Sequence, residues 1–191
     1  MEYNIDKKEI IINRKLNELD KFVIEFVEIV RKYMDYIIIS GYISILLGRS
    51  RATEDIDIFI KKIPLEKFSE FYEDIKNKGF WCLNAEDVNE IYEYLDNNMA
   101  VRFARVNQSI PNFELKYPAR VIDSETFDDF LIAILPMGRL KISSLERQIA
   151  FKRYYLMSEK DLEDAVHIEE IFKEKLNKEK INKLKNQLEK I

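Results

Sequence analysis

The run Asp55-Ile56-Asp57-Ile58-Phe59-Ile60 constrains the fold of this chain more than any other feature. Its alternation predicts a β-strand with Ile56, Ile58 and Ile60 on one face and both aspartates on the other. Same-face neighbours along a strand are about 6.5 Å apart, so the two carboxylates lean toward one region just off the sheet. An isolated Asp-x-Asp often marks a solvated strand face, and the preceding residues therefore decide its meaning.

Those preceding residues provide elements that bind phosphate. Residues 36–40 form a short apolar run typical of a buried strand, and Gly41 ends it. An amphipathic piece of one or two helical turns, 42–47, precedes the basic loop 48–51. Phosphoryl chemistry on a nucleoside triphosphate (NTP) needs backbone amides, cationic charge and oxygen ligands for a hard cation such as Mg²⁺. The stretch therefore indicates such a site.

Two segments resemble the signature of the polymerase-β-type nucleotidyltransferase superfamily: Ser40-Gly41-Tyr42 and the run from Gly48 to Asp57. Within it they are most similar to the AbiEii/AbiGii toxin-type nucleotidyltransferases, including archaeal members. The usual pattern is an apolar strand, Gly-Gly or Gly-Ser, a spacer, and then Asp-x-Asp or Asp-x-Glu. Tyr42 stands where the second Gly or Ser is expected. A short hydroxyl side chain is thereby missing, whereas a backbone N–H remains.

The resemblance covers roughly residues 34–165 and implies an α+β nucleotidyltransferase fold. A mixed β-sheet flanked by helices and a C-terminal helical tail are expected. The implied reaction transfers a nucleoside monophosphate (NMP) from an NTP to an acceptor hydroxyl, with Mg²⁺ or Mn²⁺ as cofactor and pyrophosphate leaving. The resemblance also suggests the toxin of a toxin–antitoxin pair, with tRNA or protein as acceptor and an antitoxin protein as partner.

A third acid is implied by the same resemblance. Residues 112–117 alternate as a strand, with Glu114 and Lys116 on one face. The family carries an acid on such a strand, in antiparallel or diagonal pairing beside the Asp-x-Asp strand, and Glu114 is the matching position. The alternative is an ordinary glutamate that pairs with a neighbouring Arg or Lys across the sheet.

The C-terminal part carries a second resemblance to AbiEii-like proteins in Leu145-Glu146, Lys152, Lys160-Asp161 and Asp164. It implies that Lys152 reaches the triphosphate and that Asp161 orients a cation or hydrogen-bonds the nucleotide. Lys160 and Asp164 also have the i,i+4 spacing of a surface ion pair, which leaves the role of Asp164 open. His167, the single histidine, is expected to take part in helix packing.

The implied site can be stated by role. The expected catalytic residues are Asp55, Asp57, Glu114 and Lys152, and the expected metal ligands are Asp55, Asp57 and Glu114. The expected nucleotide-binding residues are Ser40, Gly41, Tyr42, Arg49, Arg51, Lys152 and Asp161. For the Tyr42 side chain three roles remain open: stacking on the nucleotide, replacing the lost hydroxyl, or packing in the core.

Periodicity predicts the remaining elements. Helices are expected at 13–33, 65–78, 87–97, 144–157, 160–176 and 178–190, and further strands at 80–83, 100–106 and 112–117. Residues 123–143 are ambiguous, and we favour a helical turn near 124–129 followed by a hairpin across 136–139. The chain is expected to divide into a core, 1–143, and a C-terminal helical segment, 144–191, packed on it or continuous with it.

Composition excludes several classes of protein. With 47% hydrophobic and 35% charged residues a folded core is expected, and the net charge of −4 requires a local basic patch for any nucleic-acid contact. The single cysteine, Cys82, excludes an intrachain disulfide and is consistent with a reducing compartment. No signal peptide or apolar membrane span is recognisable, so a cytoplasmic location is expected. Motifs of zinc ribbons, P-loops and serine hydrolases are absent.

Two other functions remain open. A catalytically inactive nucleotide-binding or interaction protein of the same fold is favoured by Tyr42. A small-molecule nucleotidyltransferase of the antibiotic-resistance type would have an acceptor pocket lined with acids, whereas a basic groove would favour tRNA.

Overall fold

A nine-stranded mixed β-sheet organises the computed structural model, which describes all of residues 1–191. The strands are β1 Glu2–Asn4, β2 Glu9–Ile11, β3 Tyr36–Ile38, β4 Asp55–Ile60, β5 Phe80–Cys82, β6 Val101–Arg105, β7 Asn112–Lys116, β8 Phe130–Leu135 and β9 Gly138–Ser143. Their order across the sheet is β1-β2-β8-β9-β3-β4-β7-β6-β5.

Eight α-helices accompany the sheet, and the predicted α+β class is confirmed. The helices are α1 Glu18–Tyr33, α2 Gly41–Leu46, α3 Leu65–Asn77, α4 Val88–Asp96, α5 Val121–Ser124, α6 Leu145–Phe151, α7 Glu159–Phe172 and α8 Lys178–Leu188. None of them combines the length and apolar composition that a membrane crossing requires.

Helix α1 covers one face of the sheet. It begins at Glu18 instead of residue 13, because the Asn17 side chain accepts a hydrogen bond from the Asp20 amide at 2.8 Å and caps the helix. The Asp20 carboxylate in turn accepts from the Asn17 amide, which completes a capping box. From the apolar face of α1, Phe26 stacks on Phe113 of β7 with ring centroids 3.8 Å apart.

The central strand β4 has the two faces predicted for it. Ile56, Ile58 and Ile60 are at most 1% exposed and belong to the main core, whereas Asp55 and Asp57 are only partly buried. Strand β4 runs antiparallel to β3 and parallel to β7. The antiparallel or diagonal pairing expected for the strand of Glu114 is therefore wrong. Strand β6 precedes β7 in the chain and runs antiparallel to it, so β7 has the same direction as β4.

The ambiguous segment 123–143 contains the predicted hairpin. After α5, residues Glu125–Phe127 form one 3₁₀ turn, and β8 and β9 then pair antiparallel with Leu135 opposite Gly138. The N-terminal strands β1 and β2 were not predicted, since three residues are too few to establish a period of two. Strand β2 pairs parallel with β8 and extends the sheet.

The C-terminal helices pack around α6. Helix α6 continues as a π-helical turn, Lys152–Leu156, which ends at Met157 in the left-handed conformation. Ser158 then caps α7, and α7 packs against both α6 and the short helix α2. This packing brings the basic loop before β4 next to the C-terminal part of the chain. The boundary at residue 143 stays a prediction.

Candidate functional site

Asp57 and Glu114 form an acidic pair on the polar face of the central strands. They lie directly opposite each other in the β4–β7 register. The ammonium of Lys116 donates to Asp57 Oδ1 at 2.7 Å and to Glu114 Oε1 at 3.0 Å. On the other side, Arg102 Nη2 donates to Glu114 Oε2 at 3.0 Å. The two carboxylates thus converge on a single cation.

Burial and charge move the pKa values of this group in different directions. Burial raises the pKa of Asp57, even though Lys116 opposes the shift. Burial also acts to raise the pKa of Glu114, but Lys116 and Arg102 outweigh it and the pKa is lowered. The pKa of Lys116 is raised, because its two carboxylate partners outweigh the effect of burial. The ammonium is therefore held firmly in its charged form.

Asp55 precedes the acidic pair on the same face of β4. Its side chain accepts a hydrogen bond from the Thr53 hydroxyl at 3.4 Å, and its partner across the strands is Asn112. The side-chain nitrogen Nδ2 of Asn112 donates to the Glu54 carbonyl at 3.2 Å, whereas its Oδ1 is buried without a hydrogen-bond partner. The three predicted acids accordingly share one face and two adjacent strands.

The predicted metal site can be tested against this geometry. No three carboxylate, histidine or cysteine side chains are grouped so as to hold a metal ion together. Asp57 and Glu114 nevertheless place oxygens around one cation, and carboxylate oxygens are the ligands that Mg²⁺ prefers. The donor chemistry of the pair fits a hard divalent cation, and the Lys116 ammonium holds that position here.

A cavity of about 480 Å³ opens beside Asp57. This volume lies within the range of small-molecule sites. Its wall carries four cationic side chains and two carboxylates, namely Lys116, Arg120, Arg147, Lys152, Asp57 and Asp123. Aromatic surface comes from Phe59, Tyr117, Phe151 and Tyr155, and Ser40 lies at the edge of the β3 turn. A polyanionic ligand with an aromatic group suits this wall.

The three predicted phosphate-binding cations converge on Asp164. Lys152 Nζ lies 2.8 Å and Arg51 Nη1 2.6 Å from Asp164 Oδ2, and Arg49 bonds to Oδ1. Asp164 and Lys152 are at most 1% exposed. Burial acts to raise the pKa of Asp164, but these cations outweigh it and the pKa is lowered. Asp164 is therefore a buried anion that ties the basic loop to α6 and α7.

The placement of the individual cations differs from the prediction. Lys152 lines the cavity, whereas Arg49 and Arg51 lie outside its wall. The ammonium of Lys152 also donates to Asp161 Oδ1 at 3.2 Å. Lys160 does not pair with Asp164 and offers only its backbone carbonyl, 2.9 Å from Arg49 Nη1. The i,i+4 spacing did not indicate the partners of Asp164, because these partners come from other parts of the chain.

The turn after β3 places Tyr42 in the core. The Tyr42 ring is fully buried, and its hydroxyl donates to Asp20 Oδ1 at 3.0 Å. Of the three roles considered for this side chain, the structure shows core packing. Ser40 has φ 65° and ψ −141°, a region that only glycine enters readily. Ser40, and not Gly41, therefore has the backbone conformation that favours glycine in this turn.

Gln148 on α6 is a site residue that sequence reasoning missed. When the side-chain amide is assigned the orientation that satisfies both of its atoms, its nitrogen lies 3.2 Å from the Ser40 carbonyl oxygen and its oxygen lies 3.3 Å from the Ser40 backbone nitrogen. In this orientation the oxygen also accepts from the Ser143 hydroxyl. Gln148 is 5% exposed and holds the strained residue from both sides. A glutamine within an amphipathic helix gives no sequence signal of this contact. His167 Nε2 lies 3.2 Å from the Leu47 carbonyl, in agreement with the predicted packing role.

Comparison with known proteins bears on the fold. No protein-family model matches the chain, and no curated protein matches it. Among solved structures, the chain is similar to an antigenic nucleotidyltransferase-like protein from Paracoccidioides brasiliensis, with a TM-score of 0.50 and 15% sequence identity. The match covers 97% of this chain and 88% of the other. The chain is therefore similar in fold to a nucleotidyltransferase-like protein.

Proposed function

We propose that the protein is a metal-dependent nucleotidyltransferase that moves NMP from an NTP to an acceptor hydroxyl. The observation that carries this proposal is the acidic pair Asp57–Glu114, which converges on one cation at the edge of a cation-rich cavity. Carboxylates beside a cationic cavity are the arrangement that phosphoryl transfer requires. The fold similarity to a nucleotidyltransferase-like protein supports the same reaction class.

Each acid has a role in this proposal. A divalent cation, Mg²⁺ or Mn²⁺, would be held by Asp57 and Glu114, with Asp55 preceding them on the same strand face, and would supply charge neutralisation at the reacting phosphate and activation of the acceptor hydroxyl. Asp57 and Glu114 come from adjacent strands, so the sheet fixes their separation. Arg102 holds the second oxygen of Glu114 and thereby orients this carboxylate.

The cavity binds the nucleotide. Lys152 faces it and offsets negative charge on the leaving pyrophosphate. Asp164 positions the Lys152 ammonium, while Arg49 and Arg51 fix Asp164 in turn. Gly41 and Tyr42 open helix α2, and the first amides of a helix have no intrahelical acceptor. Neither residue lines the cavity, so a contact of these amides with phosphate oxygens stays a prediction. Tyr155 and Phe151 offer faces for the base.

The charge of the cavity wall supports one class of acceptor over another. The excess of cationic side chains in the cavity wall suits a phosphate-rich acceptor such as tRNA better than a cationic small molecule. More specifically, we propose a toxin that acts in the cytoplasm on tRNA or protein and has an antitoxin as its partner. This proposal predicts that expression of the active protein arrests cell growth.

Transfer of label from α-³²P-NTP to total RNA or to cell extract, in the presence of Mg²⁺, tests the proposal. Asp55→Ala, Asp57→Ala and Lys152→Ala should each reduce transfer by about 10²–10³-fold, the usual effect of removing an electrostatic group at a reacting phosphate. Asp128→Asn serves as a matched control, because Asp128 is exposed and does not line the cavity. Full transfer by folded Asp57→Ala protein would reject the assignment.

A second candidate function is a nucleotide-binding protein without transferase activity. The specific observation in its favour is the Lys116 ammonium, which satisfies the acidic pair without a metal. Calorimetry with a non-hydrolysable NTP separates the two functions. Binding that is independent of Mg²⁺, together with no label transfer by the wild type, would favour the binding protein.

A further inference from the structure

Lys116 contacts both carboxylates of the acidic pair and is only partly exposed. It lies on the same strand face as Glu114 and reaches across to Asp57, with contacts of 3.0 and 2.7 Å. Its side chain is 28% exposed, and the carboxylates are 15% and 17% exposed. Two partly buried like charges on neighbouring strands repel each other unless a cation lies between them. Lys116 provides that cation within the chain.

The ammonium and a divalent cation need the same oxygens. Asp57 Oδ1 and Glu114 Oε1 both point to Lys116 Nζ, and a metal bound by both carboxylates would need this space. A positive charge left beside the metal would also repel it. The cavity wall contains Lys116 as well as Asp57, so the flexible side chain has open space beside the acids into which it can turn.

We propose that Lys116 is an exchangeable counter-cation of the acidic pair. It occupies the cation position in the metal-free protein and moves into the cavity when a divalent cation binds, where it contacts the phosphates of the nucleotide. This inference rests on the proposed function and adds to it a coupling between metal and nucleotide. The nucleotide favours metal binding because its phosphates receive the displaced ammonium, and the effect is reciprocal.

Binding of Mn²⁺, followed by electron paramagnetic resonance of the free ion, tests the first part on the full chain. Lys116→Met and Lys116→Gln should bind Mn²⁺ more tightly than the wild type, by roughly 5- to 150-fold, the usual range of coupling between two ligands. Gln retains a neutral hydrogen-bond donor on a shorter side chain, which keeps the test valid if the Met variant does not fold. Equal or weaker binding by the folded variants would overturn the counter-cation role.

Lys141→Met is the matched control. Lys141 is also a strand lysine, 32% exposed, and it pairs with Asp35 away from the acids. Its replacement should leave Mn²⁺ affinity unchanged. Addition of Asp57→Asn to Lys116→Met should abolish the gain, since the gained site uses Asp57. A gain that survives this addition would place the ion elsewhere and overturn the proposal.

The second part is tested by repeating the titrations with a non-hydrolysable NTP. The nucleotide should tighten Mn²⁺ binding by a larger factor in the wild type than in Lys116→Met, because only the wild type has an ammonium to transfer. Equal factors would overturn the phosphate contact. Label transfer by the wild type is scored separately, so failure of the transferase proposal and failure of the Lys116 proposal give different results.

Discussion

The hydroxyl of Tyr42 donates a hydrogen bond of 3.0 Å to Oδ1 of Asp20, and both side chains are fully buried. Asp20 also accepts from Arg14 Nη2 at 2.9 Å and from the Asn17 amide. Burial and the Asp20 carboxylate raise the pKa of Tyr42 well above its ordinary value, so the phenol remains a donor at physiological pH. The short helix after β3 is thereby fixed to the start of α1.

Tyr42→Phe should lower stability and leave nucleotide binding unchanged. It removes one partner of a buried carboxylate, a change that costs about 1–3 kcal/mol. Urea denaturation measures the loss, and calorimetry with a non-hydrolysable NTP measures binding. Tyr94→Phe is the control, because its exposed hydroxyl bonds to exposed Glu90 and little stability should be lost. A clear fall in NTP affinity for folded Tyr42→Phe protein would show that the Tyr42 hydroxyl contributes to nucleotide binding.

Ser40→Gly should stabilise the protein. Ser40 occupies φ 65°, ψ −141°, and such conformations cost on the order of 1–3 kcal/mol in residues other than glycine. Ser40→Ala keeps the Cβ atom and therefore the strain, so it should give no gain. Thermal or urea unfolding of the two variants compares them directly. Equal stability of the Gly and Ala variants would show that the backbone is not strained at this position.

Gly41→Ala should be harmful only while Arg51 is present. A Cβ at residue 41 would lie 3.2 Å from Arg51 Nη2, and the guanidinium has little room to withdraw because Nη1 is bonded to Asp164. Overpacking of this kind costs about 1–3 kcal/mol. In an Arg51→Ala background the same change should become neutral or stabilising by up to about 1 kcal/mol. A double-mutant cycle in urea measures this reversal, and additive effects would contradict it.

Asp164→Asn should make stability less dependent on pH in acid. The pKa of Asp164 is lowered in the folded protein, since Lys152, Arg49 and Arg51 outweigh its burial. Its contribution is therefore present above the ordinary value of about 3.9 and is lost as the pH falls through the lower folded pKa. At neutral pH the free energy of unfolding of Asp164→Asn should be about 3–5 kcal/mol lower than that of the wild type, because the three cations then lie beside an uncharged side chain.

Urea unfolding between neutral and acidic pH measures this effect. The slope of stability against pH should be shallower for Asp164→Asn than for the wild type below the ordinary Asp value. Asp128→Asn, at an exposed position, should follow the wild-type curve. If stability depends on pH equally in Asp164→Asn and in the wild type, the titration of Asp164 does not contribute to acid unfolding.

The sequence predicts the parts of the fold that depend on local pattern. Strand β4 has the predicted bounds and faces, because its alternation is strict. Glu114 also lies beside Asp57, as the resemblance implied, although in a parallel pair. Strands β1 and β2 are too short to carry a pattern of their own, and their place beside β8 depends on a contact distant in sequence.

The contacts within the site depend on tertiary packing and were harder to predict. The spacing of Lys160 and Asp164 suggested a pair, but Arg49, Arg51 and Lys152 satisfy Asp164 instead. Lys116 was noted as a neighbour of Glu114, yet its bond to Asp57 requires the parallel register of β4 and β7. Side-chain partners across strands are set by register, which residue patterns alone leave open.

The parallel pairing of β4 and β7 also determines when the acidic pair comes into existence. Both aspartates leave the ribosome well before Glu114, because α3, β5, α4 and β6 lie between them in the chain. Closing so long a loop costs conformational entropy, which the packing of the intervening elements offsets. Pairing between strands that are distant in sequence is therefore slow to form. A nascent or truncated chain that ends before β7 has the Asp-x-Asp motif but no pair. The acidic pair therefore exists only after synthesis has passed the seventh strand.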